Sequence, residues 1–184
     1  IGSERLNQLL QRQLPQIAQR LHQTLEKLQQ PQAPQGAAGE DDAPAAAWWE
    51  RARQRYAHDD IEFATVEFVA GASVPVTLFD SALDNLLQNA LRKRQSDADL
   101  RVRVVLAADA ARLGVCDTGG AVPAAIVDGL LQAPVASEDG LGIGLYHAAR
   151  QAEGYGFSLA LASNVQGAVC FELARADSSR LRGA

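Results

Sequence analysis

Asp84-Asn85-Leu86-Leu87-Gln88-Asn89-Ala90-Leu91-Arg92 is the stretch on which the reading of this 184-residue chain turns. Its apolar residues continue a pattern that includes Leu78, Ala82 and Leu83, and this predicts an amphipathic helix from Val74 to Arg94 with a broad apolar face. The polar residues fall together. Asn85 and Asn89 are four apart, hence on one side of the helix, and Arg92 follows three further on. Two carboxamides and a guanidinium in a row supply oxygen ligands for a hard cation and donors for phosphate. Magnesium carrying a nucleotide phosphate uses such ligands, completing its octahedron with water and phosphate oxygens. In isolation the same residues read as the solvated face of a surface helix, so their meaning depends on what accompanies them.

Two other segments carry glycines or polar residues that packing alone does not demand. Val115-Cys116-Asp117-Thr118-Gly119-Gly120-Ala121-Val122-Pro123 reads as a strand end delivering one carboxylate into a glycine turn. A carboxylate there can accept the exocyclic amine of an adenine, and Gly119 lets backbone approach the base closely. An Asp-initiated turn of the ordinary kind has the same appearance. Asp139-Gly140-Leu141-Gly142-Ile143-Gly144-Leu145-Tyr146 runs alternating glycines straight into a helix, whose first amide groups favour a phosphate. A dinucleotide fingerprint would need GxGxxG after an early strand and an acidic residue about 20 positions on. Here the third glycine follows after one residue and the next acidic residue, Glu153, lies in the helix itself, so that reading loses.

Outward from these segments, Leu6, Leu10, Leu14, Ile17, Leu21, Leu25 and Leu28 recur at steps of four and three, the stripe of a coiled coil that needs a partner helix. Pro15 interrupts it and predicts a kink or break near Leu14. Residues 31–44, rich in Pro, Gly and acidic side chains, read as a flexible linker, and a domain boundary belongs there. Ala45 to Ala57 has helix composition and Ile61 to Val69 is strand-like. Leu100 to Ala107 and Leu113 to Cys116 read as strands, Ile126 to Leu131 as a short helix, Val135 to Gly140 as a loop and Leu145 to Glu153 as a helix. Phe157 to Ala162 and Ala168 to Ala174 read as a closing hairpin turning through Ser163 to Gly167. The expected class is α+β, a mainly antiparallel sheet with helices on one face over residues 45–176, with a tail from 177 to 184.

Composition narrows the function classes. With 47% hydrophobic and 5% aromatic residues the chain is globular, its core drawn mainly from Ala, Leu and Val. A net charge of -5 disfavours nucleic acid as a partner, because phosphate-backbone binding needs a basic footprint. Cys116 and Cys170 show no CxxC pattern and signal neither a zinc site nor a disulfide framework, so a reducing cytoplasm is the expected setting. No apolar run approaches the roughly 20 residues of a membrane span, and no membrane contact is expected. Ile1-Gly2-Ser3 has the look of a cloning-site remnant, which would make the chain a piece of something larger.

Taken together and in this order, the three segments resemble the N, G1 and G2 boxes of the ATP-binding catalytic domain of sensor histidine kinases, in the superfamily of gyrase, Hsp90, histidine kinases and MutL. The resemblance covers roughly Ala45 to Ala174 and implies a Bergerat-type α/β sandwich with ATP held between helices and a lid, here Ala124 to Asp139. Position by position, Asn89 is similar to the magnesium-coordinating asparagine and Asn85 to its companion one turn earlier. Arg92 falls where the family has a basic residue approaching the phosphates. Asp117 matches the adenine-recognising aspartate and Gly119 the glycine beneath the base. Gly140, Gly142 and Gly144 match the phosphate-side glycines, with Leu141 and Leu145 between and after them. The resemblance therefore implies ATP and Mg2+ as ligands, with Asn89 and Arg92 as catalytic groups. It also implies a homodimer formed through the N-terminal helix and a response regulator receiver domain as partner. The expected location is the cytoplasmic part of an inner-membrane sensor.

The sequence departs from the family pattern at three places. Ala121 stands at the second glycine of the DxGxG motif, Lys93 holds a position that is often aromatic, and the lid's aromatic box is reduced to Leu130 and Leu131. His22, followed by Gln23-Thr24-Leu25, lacks the pattern of a phosphoacceptor, His58 opens a turn and His147 reads as packing, so the acceptor is expected upstream of this chain. A hydrolytic relative would carry a general-base Glu where Asn85 stands, which favours phosphotransfer over hydrolysis. The alternatives are a non-catalytic nucleotide-sensing module of the same fold and a serine kinase of the anti-sigma-factor type.

Overall fold

The computed structural model describes residues 41–127, 129–133 and 144–176. The leucine-striped segment with His22, most of the expected linker, Gly140, Leu141, Gly142 and the tail from 177 to 184 lie outside the described residues. The elements run β1 (Asp42–Pro44), α1 (Ala45–Arg55), β2 (Ile61–Phe63), β3 (Ser73–Pro75), α2 (Val76–Ser96), β4 (Val102–Leu106), β5 (Arg112–Asp117), α3 (Ala124–Val127), α4 (Gly144–Gly154), β6 (Phe157–Val165) and β7 (Ala168–Arg175).

Five strands pair in the order β2-β4-β5-β7-β6, with β2 parallel to β4 and every other pairing antiparallel. The period-2 alternation decides which face is covered. Val102, Val104 and Leu106 of β4, Leu113 and Val115 of β5, and Val169, Phe171 and Leu173 of β7 point into one core, while Arg103, Arg112 and Glu172 stand on the opposite face. The helices supply the second layer. Leu78, Phe79, Ala82, Leu83, Leu86, Leu87 and Ala90 of α2 are all buried, as are Trp48, Trp49 and Ala52 of α1 and Ala148, Ala149 and Ala152 of α4. The few aromatic residues are spent where the layers meet. Trp48 meets Phe79 edge-on at 5.4 Å between ring centres, and Phe79 meets Phe157 of β6 in the same manner at 5.5 Å. This is the α+β architecture that the residue pattern predicts.

The start of α2 is fixed from a distance. Pro75 occupies the capping position and offers no side-chain acceptor. Asp41 takes over that role from 36 positions upstream: its carboxylate accepts the Thr77 N–H at 3.0 Å and the Thr77 hydroxyl at 3.0 Å. Its negative charge also complements the helix dipole. The antiparallel pairing of β1 with β3 holds Asp41 there. Asp42–Pro44, which composition assigns to the linker, is thus a strand of the folded unit, and α2 begins two residues later than the apolar pattern indicates because Ser73–Pro75 is needed for that pairing.

Elsewhere the structure adjusts boundaries. Only Ile61–Phe63 of the predicted Ile61 to Val69 strand is regular, though the Ala64 N–H still reaches the Val104 carbonyl at 2.9 Å. The short helix lies at Ala124–Val127, ahead of its predicted place. The hairpin turns tightly through Gln166 and Gly167 rather than Ser163 to Gly167, with Gly167 at φ +81°. Its extra length is absorbed by a register shift between Leu161 and Ser163.

The cysteine expectation is overturned. Cys116 and Cys170 are directly opposite one another on β5 and β7, with Cα atoms 4.1 Å apart, and form a disulfide. No local spacing could reveal it, because the pair is created by strand register between segments 54 residues apart.

Two outcomes follow from these contacts. Asp41→Ala should lower unfolding stability by about 1 kcal/mol, the usual worth of a helix cap, read as a fall of a few degrees in the thermal midpoint. Closing a loop across 54 positions stabilises by about 4 kcal/mol in the chain-entropy account. Dithiothreitol should therefore lower the midpoint of the natural chain and leave that of a Cys116→Ser, Cys170→Ser double variant unchanged.

Candidate functional site

The apolar face of α2 is pinned to the sheet, so its remaining face is presented at a fixed angle. Asn85 and Asn89 are half-buried along that face and Arg92 is exposed. The Asn85 amide donates to the Ser81 carbonyl at 2.8 Å, which turns its oxygen outward. At that point α4 begins. A Cβ on Gly144 would lie 2.6 Å from Asn85 Oδ1, closer than side chains pack, so glycine is what lets the first turn of α4 rest on Asn85. Leu145, the next residue, packs half-buried against the core.

The C-terminal end of the same helix meets the end of β5. Asp117 is the one buried polar or charged residue among the described residues, 6% exposed. Its Oδ1 accepts the Gly119 N–H at 2.9 Å. Lys93, one position past Arg92, donates its ammonium to Oδ1 at 3.1 Å and to Oδ2 at 2.9 Å. Gly119 is walled in: a Cβ there would come within 2.7 Å of Leu100 Cδ1, 2.9 Å of Asp117 Oδ1 and 3.6 Å of Lys93 Cδ. Asp117, Gly119, Leu100 and Lys93 therefore form one packed floor beside α2.

The turn after β5 is held from three sides. The Thr118 hydroxyl accepts the Arg101 N–H at 2.9 Å, and the Gly119 carbonyl accepts the Gly167 N–H from the β6–β7 turn at 3.0 Å. Asn164 clamps Val122 in the manner of a strand neighbour: its Oδ1 accepts the Val122 N–H at 2.7 Å and its amide donates to the Val122 carbonyl at 3.0 Å. The chain leaves this clamp at Pro123 and enters α3. Ala121, the residue in place of a glycine, is exposed.

Asn85, Asn89 and Arg92 thus share one helix with Lys93, and that helix touches Gly144 near its middle and Asp117 with Gly119 near its C-terminal end. From residue 85 to residue 93 the helix rises about 12 Å. Asp84, inside the same stretch, faces the other way: it accepts the hydroxyl of Tyr56, the residue just after α1, and pairs with Arg55 at 3.3 Å. Burial, reinforced by the bond to Asp84, raises the Tyr56 phenol well above its ordinary pKa. Asp84 therefore ties α1 to α2. His147 is half-buried in α4 and His58 is exposed.

Reading the sequence did not reach Asn164, Leu100 or the pairing of Lys93 with Asp117. Asn164 has no local signal, since its partner lies 42 residues away. Lys93 did have one, a charged residue at a position where the resemblance leads one to expect an aromatic ring.

Comparison with known proteins comes to the same helix. No curated protein matches the sequence. Among solved structures, the catalytic domain of histidine kinase ThkA superposes with a TM-score of 0.58 at 17% identity, covering 74% of this chain and 97% of that one. Acinetobacter baumannii histidine kinase AdeS superposes with a TM-score of 0.59 at 15% identity, covering 95% of this chain and 85% of that one. Full-length ShkA in complex with AMPPNP has a TM-score of 0.56 at 20% identity, over 83% of this chain and 35% of that one. At such identities these likenesses speak for the fold. The family model described as histidine kinase-, DNA gyrase B- and HSP90-like ATPase matches residues 76–178, from the first residue of α2 to just past β7. That span is more than half of the chain and contains all three segments, so the chain belongs to the histidine kinase-, DNA gyrase B- and HSP90-like ATPase family.

Proposed function

We propose that this chain is the ATP-binding portion of a sensor histidine kinase, which holds Mg-ATP and presents the γ-phosphate to a histidine on a dimerisation helix. The observation that carries this reading is the meeting of three segments on α2, with a buried carboxylate near its C-terminal end and a glycine-started helix near its middle. A carboxylate is an acceptor for the exocyclic amine of adenine, and a helix start is a donor for phosphate. Full-length ShkA, similar to this chain in fold, is in complex with the ATP analogue AMPPNP, which supports a nucleotide as the ligand.

Each residue then has a task. Asp117 accepts the base amine and Gly119 leaves room for the ring. Arg92 donates toward phosphate, as do the first amides of α4, with Gly140, Leu141, Gly142, Gly144 and Leu145 forming the phosphate side. Asn85 and Asn89 offer neutral carboxamide oxygens. Among the described residues no three His, Cys, Asp or Glu side chains gather to hold a metal. Asn89 would hold a magnesium ion carried by the nucleotide through its carboxamide oxygen, a hard ligand of the kind that ion takes. Mg2+, when bound, offsets the phosphate charge.

In transfer, the bond from the γ-phosphorus to its bridging oxygen breaks, a bond to an imidazole nitrogen forms, and ADP leaves with the bridging electron pair. The chain contributes positioning and electrostatics rather than covalent chemistry. Asn85, where a hydrolytic relative would carry a glutamate base, favours transfer over attack by water. On this reading the acceptor histidine is supplied from outside this chain, and a response regulator aspartate takes the phosphate next. No helix among the described residues is long and apolar enough to cross a membrane.

The test is to mix the chain with Mg-ATP and a longer chain that carries the upstream helix, then assay phosphate on protein that is acid-labile and base-stable. Asn89→Ala should lower phosphohistidine formation at least ten-fold. Binding of ATP without any phosphohistidine, unaffected by Asn89→Ala, would leave a nucleotide-sensing module instead, a reading to which Ala121 and the reduced lid box incline. Gly144→Ala should weaken ATP binding several-fold in calorimetry, because its methyl must displace Asn85 Oδ1 from a contact of 2.6 Å.

A further inference from the structure

We infer that Lys93 sets the nucleotide affinity of this site by acting as an internal occupant of the base-recognition carboxylate. The ammonium of Lys93 engages both oxygens of Asp117, at 2.9 and 3.1 Å, and Gly119 N–H already holds Oδ1. Asp117 is 6% exposed, so few directions remain from which a base amine could reach it. The stem of Lys93 runs across Gly119, its Cδ 3.6 Å from where a Cβ on that glycine would lie. Lys93 thus covers both features that the proposed function gives to the base, the acceptor and the space beneath the ring.

The exchange is chemically even-handed in kind and uneven in strength. A lysine ammonium and an exocyclic amine both donate N–H to the ionised carboxylate, but only the ammonium adds the attraction of an opposite full charge. An incoming base must therefore break an ion pair to form a weaker bond at the same oxygens. Release is feasible because Lys93 is 32% exposed along its side chain, so its charge can be rehydrated. Binding free energy is reduced by the cost of opening the pair, just as affinity falls when only a fraction of the molecules is binding-competent. An aromatic ring at this position would line the pocket without competing for Asp117.

The inference rests on Asp117 receiving the base, and the experiment separates the two. ATP and adenosine binding are measured by calorimetry on the full chain, on Lys93→Met, on Lys93→Gln, and on Asp117→Asn in both the natural and the Lys93→Met backgrounds, with thermal melts recording that each variant is folded. Lys93→Met is expected to tighten both ligands about ten-fold, and Lys93→Gln, which keeps a neutral donor, by less. Inorganic triphosphate, which has no base, should show no gain. Weaker or unchanged adenosine binding in Lys93→Met, with Asp117→Asn still harmful, overturns the role of Lys93 and leaves the base site standing. Indifference of ATP and adenosine to Asp117→Asn in the Lys93→Met background overturns both, as does the absence of ATP binding in every variant.

Discussion

Burial of one face of α2 against the sheet is the constraint on which the rest of the molecule depends. Seven side chains from Leu78 to Ala90 enter the core, and the helix can then neither roll nor slide without exposing them. Its two ends are fixed by separate means, Asp41 at the start and Arg94 near the finish, the latter donating to the Leu100, Asp59 and Asp60 carbonyls. A polar stripe on such a helix becomes a ruler: Asn85, Asn89, Arg92 and Lys93 hold set heights, and the loops of β5 and the start of α4 dock against marks on it. Changing the packing beneath, at Leu86 or Leu87, would displace the stripe as a whole.

The electrostatics of the site are local. A chain with net charge -5 offers no general field to attract a polyphosphate, so the proposed nucleotide binding would rest on Arg92, on helix amides and on a cation carried by the ligand itself. The same economy of charge makes the Lys93–Asp117 pair consequential. A buried carboxylate must be paired or hydrogen-bonded, and in this fold the partner within reach is Lys93, one residue beyond Arg92. The outcome is that the acceptor of the proposed base site is satisfied before any ligand arrives.

The disulfide and the clamp at Val122 show a different kind of reinforcement. Cys116 precedes Asp117 on β5 and points to the opposite face, where Cys170 of β7 meets it. Asn164 and Gly167 of the β6–β7 hairpin grip the turn that follows. The hairpin that closes the sheet thereby also supports the loop carrying Gly119, which links sheet stability to the geometry of the site.

Much of this was legible along the chain because it is periodic or local. The 3.6-residue pattern marked α2, the alternation marked β4, β5 and β7, and residues four apart placed Asn85 and Asn89 together. Gly144, read along the chain as making room for a phosphate, also lets the start of α4 rest on Asn85, a contact the local pattern did not announce. What escaped was set by register and by contacts between distant segments: Ser73–Pro75 serving as a strand, Asp41 capping a helix 36 positions away, Cys116 meeting Cys170, Asn164 gripping Val122. The sequence by itself determined the layer architecture and the residue types available to a nucleotide, since apolar periodicity and short-range spacing are written in the chain. Only the tertiary structure decided that Lys93 would spend its charge on Asp117, because which donor satisfies a buried carboxylate depends on how a helix and a strand end are brought together in space.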